Sequence, residues 1–323
     1  MKILQCRTGC VCLVLVICLA GCCAPGVVSS PSVTPIPPSA VPTKGPSFTP
    51  VSPSVPTLEM PAGTPTPGPI PPTRTPHPTS VPTMTADEEQ ALVLDLLRDN
   101  AGCQLPCWWG FTPGETSWEM AQTYFLSVGK KIGKYHNGRF THYEVDFAIS
   151  QHQVTIDQLY VVNEDEIIDK ICVVASSHPD HRQELVEDMQ RYSLSQLLAD
   201  YGQPSQVLLK TFSGVPEGLP PFHLLLYYPQ QGIMVRYIDD AERSGETLRL
   251  CPRQPGVTLW LWAPGQGVHI ADIADTGLGG FPKNELTYFR SLEEATGMSV
   301  EQFYETFVQP DTETCLETPA DLW

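Results

Sequence analysis

Apolar spacing divides the chain into three regions. Residues 11–19 (VCLVLVICL) form an unbroken apolar run of nine, too short to cross a bilayer as a stable helix. From 24 to 85 no apolar period exists at all; the segment is built mainly from Pro, Ser, Thr, Val and Gly in low-complexity order. Beyond 85, helical and extended periods alternate. Thr85-Ala86-Asp87-Glu88 has the S/T-x-x-E form of a capping box and precedes Leu92, Leu94, Leu96 and Leu97. It predicts a helix to about Asn100 with acids at its positive end. Thr116-Ser117-Trp118-Glu119 opens a second helix carrying Met120, Ala121, Tyr124 and Phe125, stopped by Gly129. Residues 140–150, 154–162 and 167–176 are rich in Val, Ile, Tyr and Phe and read as three consecutive antiparallel strands.

The same grammar then returns. Residues 179–191 are compatible with helix, and Ser193-Leu194-Ser195-Gln196 has capping-box form before Leu197, Leu198 and Tyr201, ending at Gly202-Gln203-Pro204. Strands follow at 206–212, 222–228, 232–238 and 257–263, and two short amphipathic helices at 291–308 turn Phe303, Tyr304 and Phe307 toward the body. The expected fold class is α+β, with helices on one face of an antiparallel sheet. It comprises two tandem helix-helix-antiparallel-meander repeats, at 86–190 and 191–265, and a C-terminal helical extension at 266–323.

Composition changes this picture mainly at the N-terminus. Of 33 prolines, 19 lie between Pro25 and Pro82. Such a segment buries too little apolar surface to offset its ordering entropy. Proline holds it extended at about 3.1 Å per residue, a stalk reaching on the order of 150 Å. The stalk is nearly uncharged, so residues 86–323 hold 35 acidic against 15 basic side chains, a net −20. A body that acidic repels nucleic acid and anionic surfaces, and no nucleic-acid partner is expected.

Candidate chemistry centres on Cys103-Gln104-Leu105-Pro106-Cys107-Trp108-Trp109-Gly110-Phe111-Thr112-Pro113-Gly114, which packs two cysteines and two tryptophans between turn residues. In an exported chain the body cysteines read first as disulfides, here Cys103 with Cys107 and Cys251 with Cys315, leaving Cys172 a buried thiol. Cys-x3-Cys is not zinc-ribbon spacing, and Pro179 within His178-Pro179-Asp180-His181 disfavours two imidazoles on one helix face. No metal or other cofactor is expected. Ser127-Val128-Gly129-Lys130 fits Ser-x-x-Lys but lacks the motifs that accompany a nucleophile. Asp239-Asp240 and Asp272-Ile273-Ala274-Asp275 lack calcium-loop spacing and read as solvated acids. Trp260 and Trp262 alternate and so share one strand face. With Trp108 and Trp109 they form a ligand or partner surface if exposed, and core if not.

Two resemblances follow from these residues. Leu19-Ala20-Gly21-Cys22, behind Lys2, Arg7 and the apolar run, resembles the lipobox of bacterial lipoproteins. It implies a signal peptide at 1–21, acylation of Cys22, and a lipid-anchored, extracytoplasmic body spaced from the membrane by residues 22–85. Pro113-Gly114-Glu115-Thr116, and Ser193-Leu194 with Tyr201-Gly202-Gln203-Pro204, resemble the repeat unit of β-lactamase-inhibitor-protein-like domains and of small outer-membrane assembly lipoproteins. In the first copy Gly129-Lys130-Lys131 stands where the family has Gly-x-Pro. That resemblance implies a non-enzymatic binding or scaffolding role toward an envelope protein. The alternatives are a glycan or solute binder that uses the tryptophans and, third, an envelope hydrolase needing a converging Ser, His and acid.

Overall fold

Thr85 opens the fold as expected. Its Oγ1 accepts from the Glu88 N–H at 3.3 Å, and the Glu88 carboxylate accepts from the Thr85 N–H at 2.8 Å, satisfying two donors of the first turn. The computed structural model describes residues 84–137, 140–150, 152–212, 221–252, 256–276, 278–309 and 314–323. The expected signal peptide, Cys22 and most of the stalk lie outside these residues. Helix α1 (Ala86–Asp99) leads through the cysteine loop to α2 (Trp118–Ser127). Four strands follow: β1 (Gly133–Asn137), β2 (Phe140–Ile149), β3 (Val154–Val162) and β4 (Ile168–Ser177). Helices α3 (Arg182–Asp188) and α4 (Leu194–Tyr201) precede β5 (Gln206–Lys210), β6 (Pro221–Tyr228), β7 (Ile233–Ser244), β8 (Thr247–Leu250) and β9 (Gly256–Trp262). The chain then forms α5 (Ile270–Thr276), β10 (Arg290–Ser291), α6 (Leu292–Thr296), α7 (Val300–Phe307) and β11 (Leu316–Pro319).

The result is a mixed α+β architecture on one antiparallel sheet. Its strand order is β1-β2-β3-β4-β9-β7-β6-β5-β10, with β8 paired to β7 and β11 to β8. The ranges 86–190 and 191–265 therefore share one sheet, joined where β9 inserts between β4 and β7. Register sorts the side chains cleanly. Val173, Leu259 and Val235 align on one face, and Cys172, Trp260 and Met234 on the other. The first face meets α1, α2, α3, α4, α6 and α7 in a core that includes Leu97, Phe125, Leu185, Leu198 and Phe303.

Three expectations need correction. Helices are not confined to one face: residues 264–289, with α5 and two 3-10 turns, strap the opposite face through Val268, Ile270, Ile273, Leu278, Phe281 and Phe289. The extension at 266–323 is not only helical, because β10 and β11 add to the sheet. At α4, Ser193 Oγ accepts from the Gln196 N–H, but the Gln196 amide turns to Asp200 at 2.8 Å. It therefore caps on one side only.

Candidate functional site

The cysteine loop is built around a residue that periodicity reads only as a helix end. Asn100 ends α1 in the left-handed region, φ 55°, a conformation Asn tolerates better than most residues. Fully buried there, its Nδ2 donates to the carbonyls of Cys103 at 3.0 Å and Cys107 at 2.8 Å, and its Oδ1 accepts from the Trp109 N–H at 2.8 Å. Cys103 and Cys107 are disulfide-bonded with Cα atoms 5.9 Å apart, and Cys251 bonds Cys315. Trp108 and Trp109, offered as a possible exposed surface, are core. They are 0% and 3% exposed, stack on one another at 5.3 Å, and meet Tyr192 and Phe147.

Outside this loop lies an open cleft of about 720 Å³. Arg98 reaches it from α1, Gln104 from the loop, Glu187 and Asp188 from α3, Gln190 and Arg191 from the 3-10 turn Gln190–Tyr192, and Gln196 and Asp200 from α4. Asp188 anchors it. The carboxylate is buried yet accepts from Arg98 Nη2 at 2.8 Å and contacts His152 Nδ1 at 2.8 Å. Arg191 Nη2 donates to the Cys103 carbonyl at 2.8 Å, tying the cleft to the disulfide loop. Among the described residues no hydroxyl, thiol or imidazole lines it. Guanidinium forks and carboxamides at fixed positions suit recognition of a polar, hydrated ligand.

The second concentration of charge sits beneath the strap. Glu285 meets Lys210 of β5 at 2.6 Å, His223 of β6 at 3.7 Å and Arg236 of β7 at 3.8 Å. Arg236 also donates to the Gly279 carbonyl at 3.2 Å and lies 5.1 Å from the Trp260 ring. Burial, reinforced by Arg236 and Lys210, pulls the His223 imidazole down to about 3, so it stays neutral. Trp260 donates to the Leu278 carbonyl at 3.0 Å, and Tyr227 donates to the Val268 carbonyl. The strap thus decides between the two tryptophan alternatives: Trp260 and Trp262 do share a face, and at 2% and 0% exposed they are core. The four residues of this cluster come from four elements, and no sequence motif joins them.

The remaining sequence candidates do not converge. Ser127 Oγ donates to the Tyr124 carbonyl at 2.7 Å, whereas Lys130 pairs with Glu89. His178 caps the turn Pro179–His181 by accepting from the Asp180 N–H at 3.4 Å. Asp239 and Asp240 are not merely solvated acids; Arg182 lies 3.9 and 2.8 Å from them. Asp272 accepts from the His269 N–H at 2.8 Å. Cys172 is a buried thiol, and burial pushes it up to about 12, far from a reactive thiolate. Among the described residues no group of three His, Cys, Asp or Glu stands close enough to hold a metal ion. The chain matches no protein-family model, no curated protein and no solved structure.

Proposed function

We propose that this protein is a non-enzymatic lipoprotein, anchored through Cys22 to the outer side of a bacterial membrane, whose acidic head binds or scaffolds a protein partner in the cell envelope. The observation that carries the reading is the cleft beside the disulfide loop. Its charged groups are held by one another and by backbone carbonyls rather than set against a nucleophile. Such preorganised donors and acceptors favour binding, because little ordering remains to be done when a partner arrives. The lipobox resemblance and the Pro-rich segment support display at a distance from the membrane. The chain order supports the tandem-repeat resemblance, since α1 and α2 precede the β2–β4 meander, and α3 and α4 precede the β5–β7 meander. Burial of Trp108, Trp109, Trp260 and Trp262 leaves the glycan-binding alternative without its aromatic platform.

Two measurements test the proposal. Labelled palmitate should enter the wild-type chain and not Cys22→Ala, which should leave the membrane fraction. Full-length protein in detergent, wild type and Arg98→Ala/Arg191→Ala, is then challenged with solubilised envelope proteins and with purified wall glycan. Stoichiometric retention of one protein, lost in the double variant, supports the reading. Retention by glycan alone, or retention that ignores both arginines, would sink it.

A further inference from the structure

We propose that the free edge of β1 is a second docking surface, distinct from the cleft, that takes an extended acidic segment of another protein as an added strand. The sheet ends very differently at its two sides. At one side β10 spans two residues and runs directly into α6, which blunts that edge. At the other, β1 spans five residues and, among the described residues, pairs with β2 alone. Every second residue of such a strand turns its N–H and C=O outward, a template for another extended chain.

The charge around this edge runs against the rest of the body. Between Glu119 and Glu144 the sequence holds Lys130, Lys131, Lys134 and Arg139 and no acid, within a head of net −20. Lys130 is engaged by Glu89, and Glu144 stands opposite Gly133. Lys131 and Lys134 are exposed, Lys134 at 5.3 Å over the Tyr143 ring. Tyr135, next to Lys134, is 44% exposed and stacks on His142 at 4.9 Å. Lys134 on this edge strand, with Lys131 shortly before it, also hinders two like edges from pairing. Here that property selects the occupant: β1 of a second copy is repelled, and an acidic strand is attracted. An anionic polymer or lipid headgroup would meet the lysines but leave the outward backbone groups of β1 unused.

The test uses the full-length chain and a fluorescent peptide of about ten residues alternating Glu with Val or Thr, a length matched to strand pairing. The peptide should bind saturably, more weakly as salt rises, and should slow hydrogen exchange of the β1 amides. Lys131→Glu/Lys134→Glu, two exposed substitutions, should weaken binding at least roughly tenfold, and a peptide with Lys in place of Glu should then bind the variant in its stead. That charge swap separates lost pairing from lost folding. No binding, binding without slower exchange in β1, or displacement of the peptide by phosphatidylglycerol vesicles would each overturn the proposal. Concentration-dependent dimerisation that blocks the peptide would do so as well, by assigning the edge to a second copy.

Discussion

Replacing Glu285 by Gln should open the strap. The carboxylate is the shared counter-ion of Lys210 and Arg236, whose side chains are 8% and 6% exposed. At an effective dielectric near 20, contacts of 2.6 and 3.8 Å correspond to roughly 6 and 4 kcal/mol of gross attraction. Most of that is offset by the cost of removing the ions from water. What the substitution changes is the balance, because the two cations remain buried and now repel one another. Breaking a buried pair in this way costs about 3–5 kcal/mol. Gln keeps one acceptor for Lys210, which argues for about 3 kcal/mol. The loss should be local before it is global, since residues 264–289 are held at their centre by Glu285, Gly279 and Leu278. Two readouts follow it. Denaturant unfolding monitored by tryptophan fluorescence reports Trp260 and Trp262 beneath the strap, and a maleimide reports Cys172, whose sulfur would lie 2.4 Å from a side-chain carbon at position 279. Glu285→Gln should unfold at lower denaturant and label Cys172 faster under native conditions. A shift below about 0.5 kcal/mol, the range of ordinary surface substitutions, with Cys172 still unlabelled, would refute the idea that this ion cluster holds the strap.

Three further outcomes follow from the same structure. Asn100→Ala removes three hydrogen bonds at a buried site, strands the Trp109 N–H, and should cost about 3 kcal/mol in equilibrium unfolding. Cys251→Ser/Cys315→Ser opens a link across 64 residues. It should cost about 4 kcal/mol in the chain-entropy model, read as a lower melting temperature that reductant then lowers by less than it lowers the wild type's, since only Cys103–Cys107 remains to be reduced. His223 titrates near 6.5 when unfolded and about 3 when folded, so its contribution is complete above pH 6.5 and is lost as pH falls toward 3. By pH 5 the loss approaches about 2 kcal/mol, and His223→Asn should flatten that part of the stability–pH curve. An unchanged slope would assign acid sensitivity to other groups.

Much of the secondary structure was legible because its signals are local. Thr85 and Glu88, or Ser291 and Glu294, mark a helix start within four residues, and both boxes form. Alternation identified β2, β3 and β4 and placed Trp260 beside Trp262 on one strand face. The expectation of export made disulfides the first reading of the body cysteines, and both expected pairs form. β1, β8, β10 and β11 were missed, since strands of five, four, two and four residues show too little alternation to stand out. Asn100 gave no distinguishing signal, because an Asn after a helix is equally an ordinary C-cap.

The sequence by itself determined where the chain turns from a low-complexity segment to folding periods, the order of helices and meanders, and the sign of the head's charge. Only the tertiary structure decided that β9 enters between β4 and β7, that the strap buries Trp260 and Trp262, and that Lys210, His223, Arg236 and Glu285 meet. It alone decided that β1 is left at an open edge. The physical reason is range. Caps and alternation act over a few residues along the chain, whereas Lys210 and Glu285 are 75 residues apart. Their meeting follows from the packing of a whole sheet face, which no local pattern encodes.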